Sequence, residues 1–442
     1  MSNKKFLLRE GWLWSVYNSL TAGFLAPFAL AFGASNTFIG LLDSILYLAN
    51  ILAQIPGAKL VEFASRKTIF LFTVTSSRLM WILMLLIPYV FKQNPLFFLI
   101  AFYFLSRLIE YHVGPAWTSL LADLVPEKMR GRFFAKRNMV IGTASLIFSL
   151  IAGIYLDLFP KDSFFGFSTL FGVGILFGLV SVYYVGKIKE PKYQDHDHHG
   201  FKEFFTMTGD FRYFSIVNVV FNFAVMLASP FFTVYMLKDL GLSYTMFTIA
   251  TVIAIIARIL AHPHLGRICD KHGDKQIALI CMIGTALVPL SFFFITPSTL
   301  WLIIPAQILS GIVWAGVDLA TFNLLLDFTD PKKRALQVAE FSMLTSLTAI
   351  ISPFIGGLLA DKAVLIVSGI PLVFLISTVL RLGSSLMLIR MNSPRVKKEA
   401  STAHVFHDMI NFHPFEGTYK LFRVTVKKIK AVKLPPGMQL FR

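Results

Sequence analysis

The chain has 442 residues, of which 56% are hydrophobic and 15% charged, with a formal net charge of +17. So apolar a chain is not an ordinary soluble protein, and it reads as a polytopic membrane protein. Its bases lie in short segments between apolar runs, so lipid topology rather than nucleic-acid binding explains the charge.

A membrane-crossing helix needs about 20 mostly apolar residues, because the hydrocarbon slab is about 30 Å thick and each residue rises about 1.5 Å. Twelve such spans are predicted, at 12–32, 37–57, 68–91, 95–121, 138–158, 165–187, 212–237, 244–265, 276–296, 299–326, 336–359 and 365–389. Backbone polar groups in hydrocarbon must bond within their own segment, which makes these spans helical. The first follows Lys4, Lys5 and Arg9, is too long for a signal-peptide core and lacks a convincing cleavage site, so it reads as retained. Cys269 and Cys281 are the two cysteines, which argues against a disulfide framework.

Bases cluster after spans 2, 4, 8 and 10, at Lys59, Arg66 and Lys67, at Lys128, Arg130, Arg132, Lys136 and Arg137, at Arg267, Lys271 and Lys275, and at Lys332, Lys333 and Arg334. The alternate loops hold scattered lysines such as Lys92 and Lys161. The positive-inside rule therefore places both termini in the cytoplasm, and the plasma membrane is the expected location. The expected organisation is a six-helix bundle over 1–187, a cytoplasmic linker over 188–211, a second six-helix bundle over 212–391 and a basic cytoplasmic tail over 392–442. The linker carries Asp195, His196, Asp197, His198 and His199, which offer metal-ligand chemistry but no fixed geometry; a solvated linker is the plainer reading, and no metal site is assigned. The tail's bases suit either anionic headgroups or solvent.

The halves repeat each other. Asn18 to Pro27 and Phe28 in span 1 resemble Asn222 to Pro230 and Phe231 in span 7, and Ala152, Gly153 and Asp157 at the end of span 5 correspond to Gly356, Gly357 and Asp361 at the end of span 11. Residues 266–275 read Gly-Arg-Ile-Cys-Asp-Lys-His-Gly-Asp-Lys, and residues 58–67 are a damaged copy in which Ala58 and Ser65 replace the glycines and Glu62 replaces the aspartate.

Residues 266–275 match the loop signature Gly-x-x-x-Asp-Lys/Arg-x-Gly-x-Lys/Arg, and with twelve spans in two halves the chain resembles the major facilitator superfamily of transporters. The resemblance covers about residues 10 to 390. It implies an all-α fold of twelve transmembrane helices in two pseudo-symmetric bundles, and a cytoplasmic gate that falls on Gly266, Asp270, Lys271, Gly273 and Lys275, with Glu62, Arg66, Lys67 and Arg130 in the first half. The plain alternative for these residues is cytoplasmic anchoring charge. The family's Gly-rich, Pro-containing drug-antiporter signature is missing from span 5.

Charges inside hydrocarbon cost several kcal/mol unless they face a cavity or a partner, so they are the candidate functional groups. On span 4, Arg107 and Glu110 share a face with Tyr103 and Trp117, whereas His112 points away. On span 10, Gln307, Trp314 and Asp318 form one stripe; Asn18 on span 1, Asn218 and Asn222 on span 7 and Arg258 on span 8 complete the expected substrate cavity. The resemblance places spans 1, 4, 7 and 10 around the central pathway. Interhelical polar packing is the alternative for all of them. Arg78 on span 3 and Arg381 on span 12 lie on helices the family places at the periphery, where snorkelling or interhelical pairing is expected.

The expected activity is secondary active transport of a small polar solute such as a sugar or organic acid by alternating access, with Glu110 or Asp318 as candidate proton carriers and the lipid bilayer as environment. A hydrophobic-drug exporter and a non-transporting receptor on the same scaffold are the alternatives. No enzymatic motif, nucleotide-binding loop or cofactor site is seen, and a functional monomer is expected.

Overall fold

A computed structural model of the chain describes residues 3–125, 127–161, 163–191, 207, 209–330, 333–363, 367–391 and 402–410. Among the described residues, eleven helical segments are long and apolar enough to cross a membrane. The remaining predicted span is the first, which is broken: α1 (Asn3–Leu20) and α2 (Leu25–Ala31) are joined by a short 3-10 turn, Ala22–Phe24. Pro27 sits within the first turn of α2, where its missing N–H costs nothing. Its repeat counterpart, span 7, breaks beside Pro230 between α9 (Gly209–Ala228) and α10 (Phe231–Val234). The duplicated prolines thus place equivalent breaks in equivalent helices.

The first half continues with α3 (Asn36–Phe63), α4 (Arg66–Val90), α5 (Pro95–Tyr111), α6 (Gly114–Leu124), α7 (Glu127–Leu156) and α8 (Phe164–Gly186). The second half continues with α11 (Tyr244–His272), α12 (Asp274–Phe294), α13 (Ile303–Phe328), α14 (Arg334–Lys362) and α15 (Ile370–Met387), and α16 (Thr402–Ile410) lies in the tail. Span 4, whose apolar length predicts one helix, is two, because Pro115 lacks an N–H and stands at the start of α6.

Two stretches expected to be loops are helical. Residues 58–63 finish α3 and residues 266–272 finish α11. Only Gly273, with φ 86°, provides the turn between α11 and α12, a conformation that a side chain would strain. Gly266 is a mid-helix residue, and its nearest neighbour in space would be Leu319, 3.7 Å from an added Cβ.

Large apolar side chains, among them Phe72, Leu176, Phe294 and Val379, are exposed on the outer faces of these helices. In water they would be a liability; against lipid tails they cost nothing. Aromatic packing fills the interior, as where Trp81 meets Tyr17, Tyr103 and Phe171 edge to face at 5.4–6.2 Å.

The halves join most closely at the face opposite the start of α1. There α14 packs against the start of α3, and α7 against the start of α11. Ser35 and Ser243 cap α3 and α11 in the same way, accepting from the N–H groups of Phe38 and Met246.

Candidate functional site

In the second half, α9, α13 and α14 enclose a cavity of about 340 Å³ lined by Asn218, Asn222, Trp314 and Asp318 together with Thr321, Thr345 and apolar neighbours. The lining comes from the middle of α9 and the later part of α13, where 100° per residue brings Trp314, Asp318 and Thr321 to one side. Asn218 donates to the Phe214 carbonyl at 2.9 Å, and Asn222 accepts from the Thr348 hydroxyl at 3.1 Å. Both amides are thereby oriented and keep further hydrogen-bonding capacity for a solute. Arg258 on α11 pairs with Asp318, and both side chains are half-exposed. His262 is tied back to the Arg258 carbonyl at 2.8 Å. Gln307 lies on α13 but does not line this cavity.

The charges of the first half are arranged differently. Glu110 receives Arg78 on one carboxylate oxygen and Arg107 on the other, each at 2.8 Å, and Ser77 donates to it at 3.3 Å. Arg107 also donates to the Tyr17 hydroxyl at 3.3 Å, and the Arg78 guanidinium lies 3.8 Å from the centre of the Tyr17 ring. Arg78, Arg107 and Tyr103 are buried. One carboxylate shared by two arginines leaves a net positive charge, tempered by the π-face of Tyr17. Trp117, expected on the same face as Glu110, instead packs on Phe70 with ring centres 4.7 Å apart. The break before α6 interrupts the helical register and turns Trp117 away. Asn18 is half-buried on α1, outside the cavity lining.

Sequence reasoning misses Arg78 as a functional candidate although its position carries a signal. It is the thirteenth residue of the 25-residue α4, too far from either end for its side chain to snorkel out of hydrocarbon about 30 Å thick. It therefore needs a partner inside. Arg381, buried in α15, meets its need through neutral acceptors: the Ser377 hydroxyl at 3.0 Å and the Thr285 carbonyl at 2.9 Å.

At the face bearing the start of α1, the described residues of each expected gate segment bond to their own half, to the start of the linker or to α16. Arg66, buried at the start of α4, donates to Asp123 at 2.6 Å and to Glu190 at 3.1 Å, while the Glu190 carboxylate also receives the N–H of Lys67 at 3.2 Å. An acid at a helix N-terminus is stabilised by the helix dipole. Lys67 reaches the Ile188 carbonyl at 3.0 Å. In the second copy Asp274 starts α12 and accepts from Asn323 at 2.7 Å, Lys275 is buried, and Asp270 is exposed. Lys271 extends to Asp408 of α16. The side chains of Glu62 and Arg130, and the His-rich run of the linker, lie outside the described residues.

At the opposite face the repeat noted at the ends of spans 5 and 11 acquires a physical meaning. Asp157 crosses between halves to accept the N–H groups of Tyr244 and Thr245, both at 2.8 Å. Asp361 makes the reciprocal crossing to the N–H groups of Asn36 and Thr37, at 3.2 and 2.7 Å. Each aspartate follows a glycine by four residues, and a Cβ added to Gly153 or Gly357 would lie 2.4 Å from the Thr248 hydroxyl or 2.6 Å from the Asn36 carbonyl. The glycine permits contact and the aspartate one turn later caps the partner's helix. Beside this seam a recess of about 200 Å³ is lined by residues of both halves, including Leu30, Lys161 and Tyr244.

The Major Facilitator Superfamily family model matches residues 13–213 and 214–438, one copy per half. The chain belongs to the Major Facilitator Superfamily. It is a membrane transporter rather than an enzyme. An uncharacterized MFS-type transporter of Methanocaldococcus jannaschii is 25% identical over 79% of this chain and 90% of its own length. The class H tetracycline resistance protein of Pasteurella multocida is 34% identical over 104 residues, a match spanning 24% of this chain and 25% of that protein. Among solved structures, the nucleoside transporter NupG superposes with a TM-score of 0.68 at 13% identity, covering 88% of this chain and 99% of that one. The inward-open xylose transporter XylE from E. coli gives 0.64 at 12% identity, covering 91% and 98%. At such identities the likeness of these structures concerns the fold.

Proposed function

We propose that this superfamily member is a secondary active transporter that carries a small polar solute, a sugar or an organic acid, through the cavity between α9, α13 and α14. The observation that carries the reading is the polar lining of that cavity: two oriented amides, Trp314 and Asp318, which pairs with Arg258 beside it. An aromatic face with amides and a charged pair suits a hydroxylated ring or a carboxylate. The halves, 1–187 and 212–391, rock about this site, joined by the linker 188–211 and followed by the tail 392–442. Placing the basic face in the cytoplasm of a cell's plasma membrane makes the Asp157 and Asp361 seam an outer gate, closed here. The segments at 58–67 and 266–275 then form the inner gate when the halves tilt the other way.

Asp318 is the better-placed candidate for a coupling proton, since it borders the cavity, whereas both oxygens of Glu110 are engaged by arginines. Arg107, Tyr103 and Asn18 act in this reading as the first half's contribution once the halves move. The test is uptake of a sugar and organic-acid panel by proteoliposomes under an imposed pH gradient. Asp318→Asn abolishes gradient-driven accumulation while facilitated exchange persists; full accumulation by the variant sinks the proton assignment. No flux for any member of the panel sinks the polar-solute reading.

The segment shared with the tetracycline resistance protein favours a second reading, export of an amphipathic drug. Lowered tetracycline accumulation in cells expressing this chain, with no polar-solute flux, would select it.

A further inference from the structure

α16 lies against the ends of α11 and α12, anchored by Val405, which is fully buried, and by Met409. Its residues His404 and Asp408 are four apart and so share one face. That face meets His272, the last residue of α11, whose Nε2 is 2.8 Å from the Asp408 carboxylate. The rings of His272 and His404 stand nearly perpendicular with centres 5.4 Å apart. One ligand atom from each of the three residues lies within 4.8 Å of the others.

We propose that His272, His404 and Asp408 form a zinc site that clamps the tail helix to the end of α11. Two imidazoles and one carboxylate are a donor set for Zn²⁺ rather than for Ca²⁺ or Mg²⁺, which take oxygen ligands. Zinc bonds of about 2.0–2.2 Å in a tetrahedron set donor atoms about 3.4 Å apart, so the His272–Asp408 pair, 2.8 Å apart, opens by about 0.6 Å and His404, within 4.8 Å of the other two, draws in by about 1.4 Å at most. His404 is exposed and free to rotate toward a shared centre, while buried His272 supplies the fixed point. Water takes the fourth position, or else His407, whose Nδ1 is 3.9 Å from Asp408. Lys271, whose ammonium lies 2.6 Å from the same carboxylate, holds the place of the cation in the metal-free state. Its side chain is 62% exposed and swings into solvent when the metal enters. The site joins a segment after the last membrane helix to the segment that carries Lys271 and Gly273, so metal occupancy determines whether the tail stays docked there.

Full-length protein in detergent, stripped with EDTA and titrated with ZnCl₂, tests this. A background with His196, His198 and His199 changed to Ala removes the linker imidazoles from the count. One zinc equivalent per chain is expected, lost in both His404→Ala and Asp408→Asn. Co²⁺ substitution should give the visible absorption of a four-coordinate site, absent from His404→Ala, and zinc should slow amide exchange over 402–410. His404 and Asp408 lie outside the membrane helices, so an unchanged metal-free melting temperature verifies that the variants fold. No bound equivalent, or one that survives both substitutions, overturns the site.

Discussion

Asp361 accepts the backbone N–H and the hydroxyl of Thr37, each at 2.7 Å, across the seam between halves, although the residues are 324 positions apart. Asp157 does the same for the start of α11. These two carboxylates at partner-helix N-termini join the halves at one face, and in the proposed cycle they are the contacts that break when that face opens. Replacing Asp361 with Asn should shift the closed-to-open ratio at this face by about two- to fivefold, the equivalent of 0.3–1 kcal/mol. The double Asp157→Asn, Asp361→Asn variant should give about the product of the two single shifts, because the sites do not share partners. The rate of thiol labelling at Leu30→Cys, a residue lining the recess beside the seam, measures the opening. The native cysteines are buried and do not compete.

The glycines should matter more than the aspartates. An added methyl at Gly357 meets backbone at 2.6 Å, which cannot rotate away as a side chain can. Gly357→Ala and Gly153→Ala should therefore cost the closed seam about 1–3 kcal/mol. Gly142→Ala, where nothing lies within 4 Å, is the control and should label at the wild-type rate.

Glu110 and Asp318 should separate stability from transport. Glu110→Gln leaves Arg78 and Arg107 buried without their shared counter-charge, and loss of one partner from such a cluster costs about 3–5 kcal/mol. Asp318→Asn affects a half-exposed pair worth about 1 kcal/mol or less. Thermal melting of the two purified variants should show a large drop for the first and a small one for the second. Equal drops would contradict the assignment of Glu110 to structure and Asp318 to the cavity.

Closure should be insensitive to moderate acid. Burial alone would raise the pKa of Asp157, but hydrogen bonds from Thr245, from the N–H of Tyr244 and from Ser243 outweigh it and hold the carboxyl below its ordinary value. A depressed folded value means that the stabilisation is complete above about pH 3.9 and is lost only as pH falls through the lower folded value. Labelling at Leu30→Cys, corrected for thiol ionisation, should report the same degree of closure from about pH 8 down to about pH 5. Opening within that range would show that another group controls the seam.

The duplication was readable because copies of Pro27 and Pro230, and of Asp157 and Asp361, recur in register; their purpose was not, because the atoms they meet are distant in the chain. Nor was the loss of Trp117 from the face of Glu110, since projecting one continuous helix ignores the break before Pro115. The stripe of Trp314 and Asp318 was readable because α13 runs unbroken through it.

The sequence by itself determined the membrane class, the span positions, the two halves and the superfamily. Those properties depend on local apolar length, on charge between spans and on repeated short patterns, all of which survive projection onto one dimension. Only the tertiary structure decided that Arg78 completes the Glu110 cluster, that residues 266–272 are helix, and that Asp157 and Asp361 cap helices of the opposite half. Each of these turns on which buried group finds which partner across helices, and a buried charge or a bare helix end is satisfied in space, not in sequence.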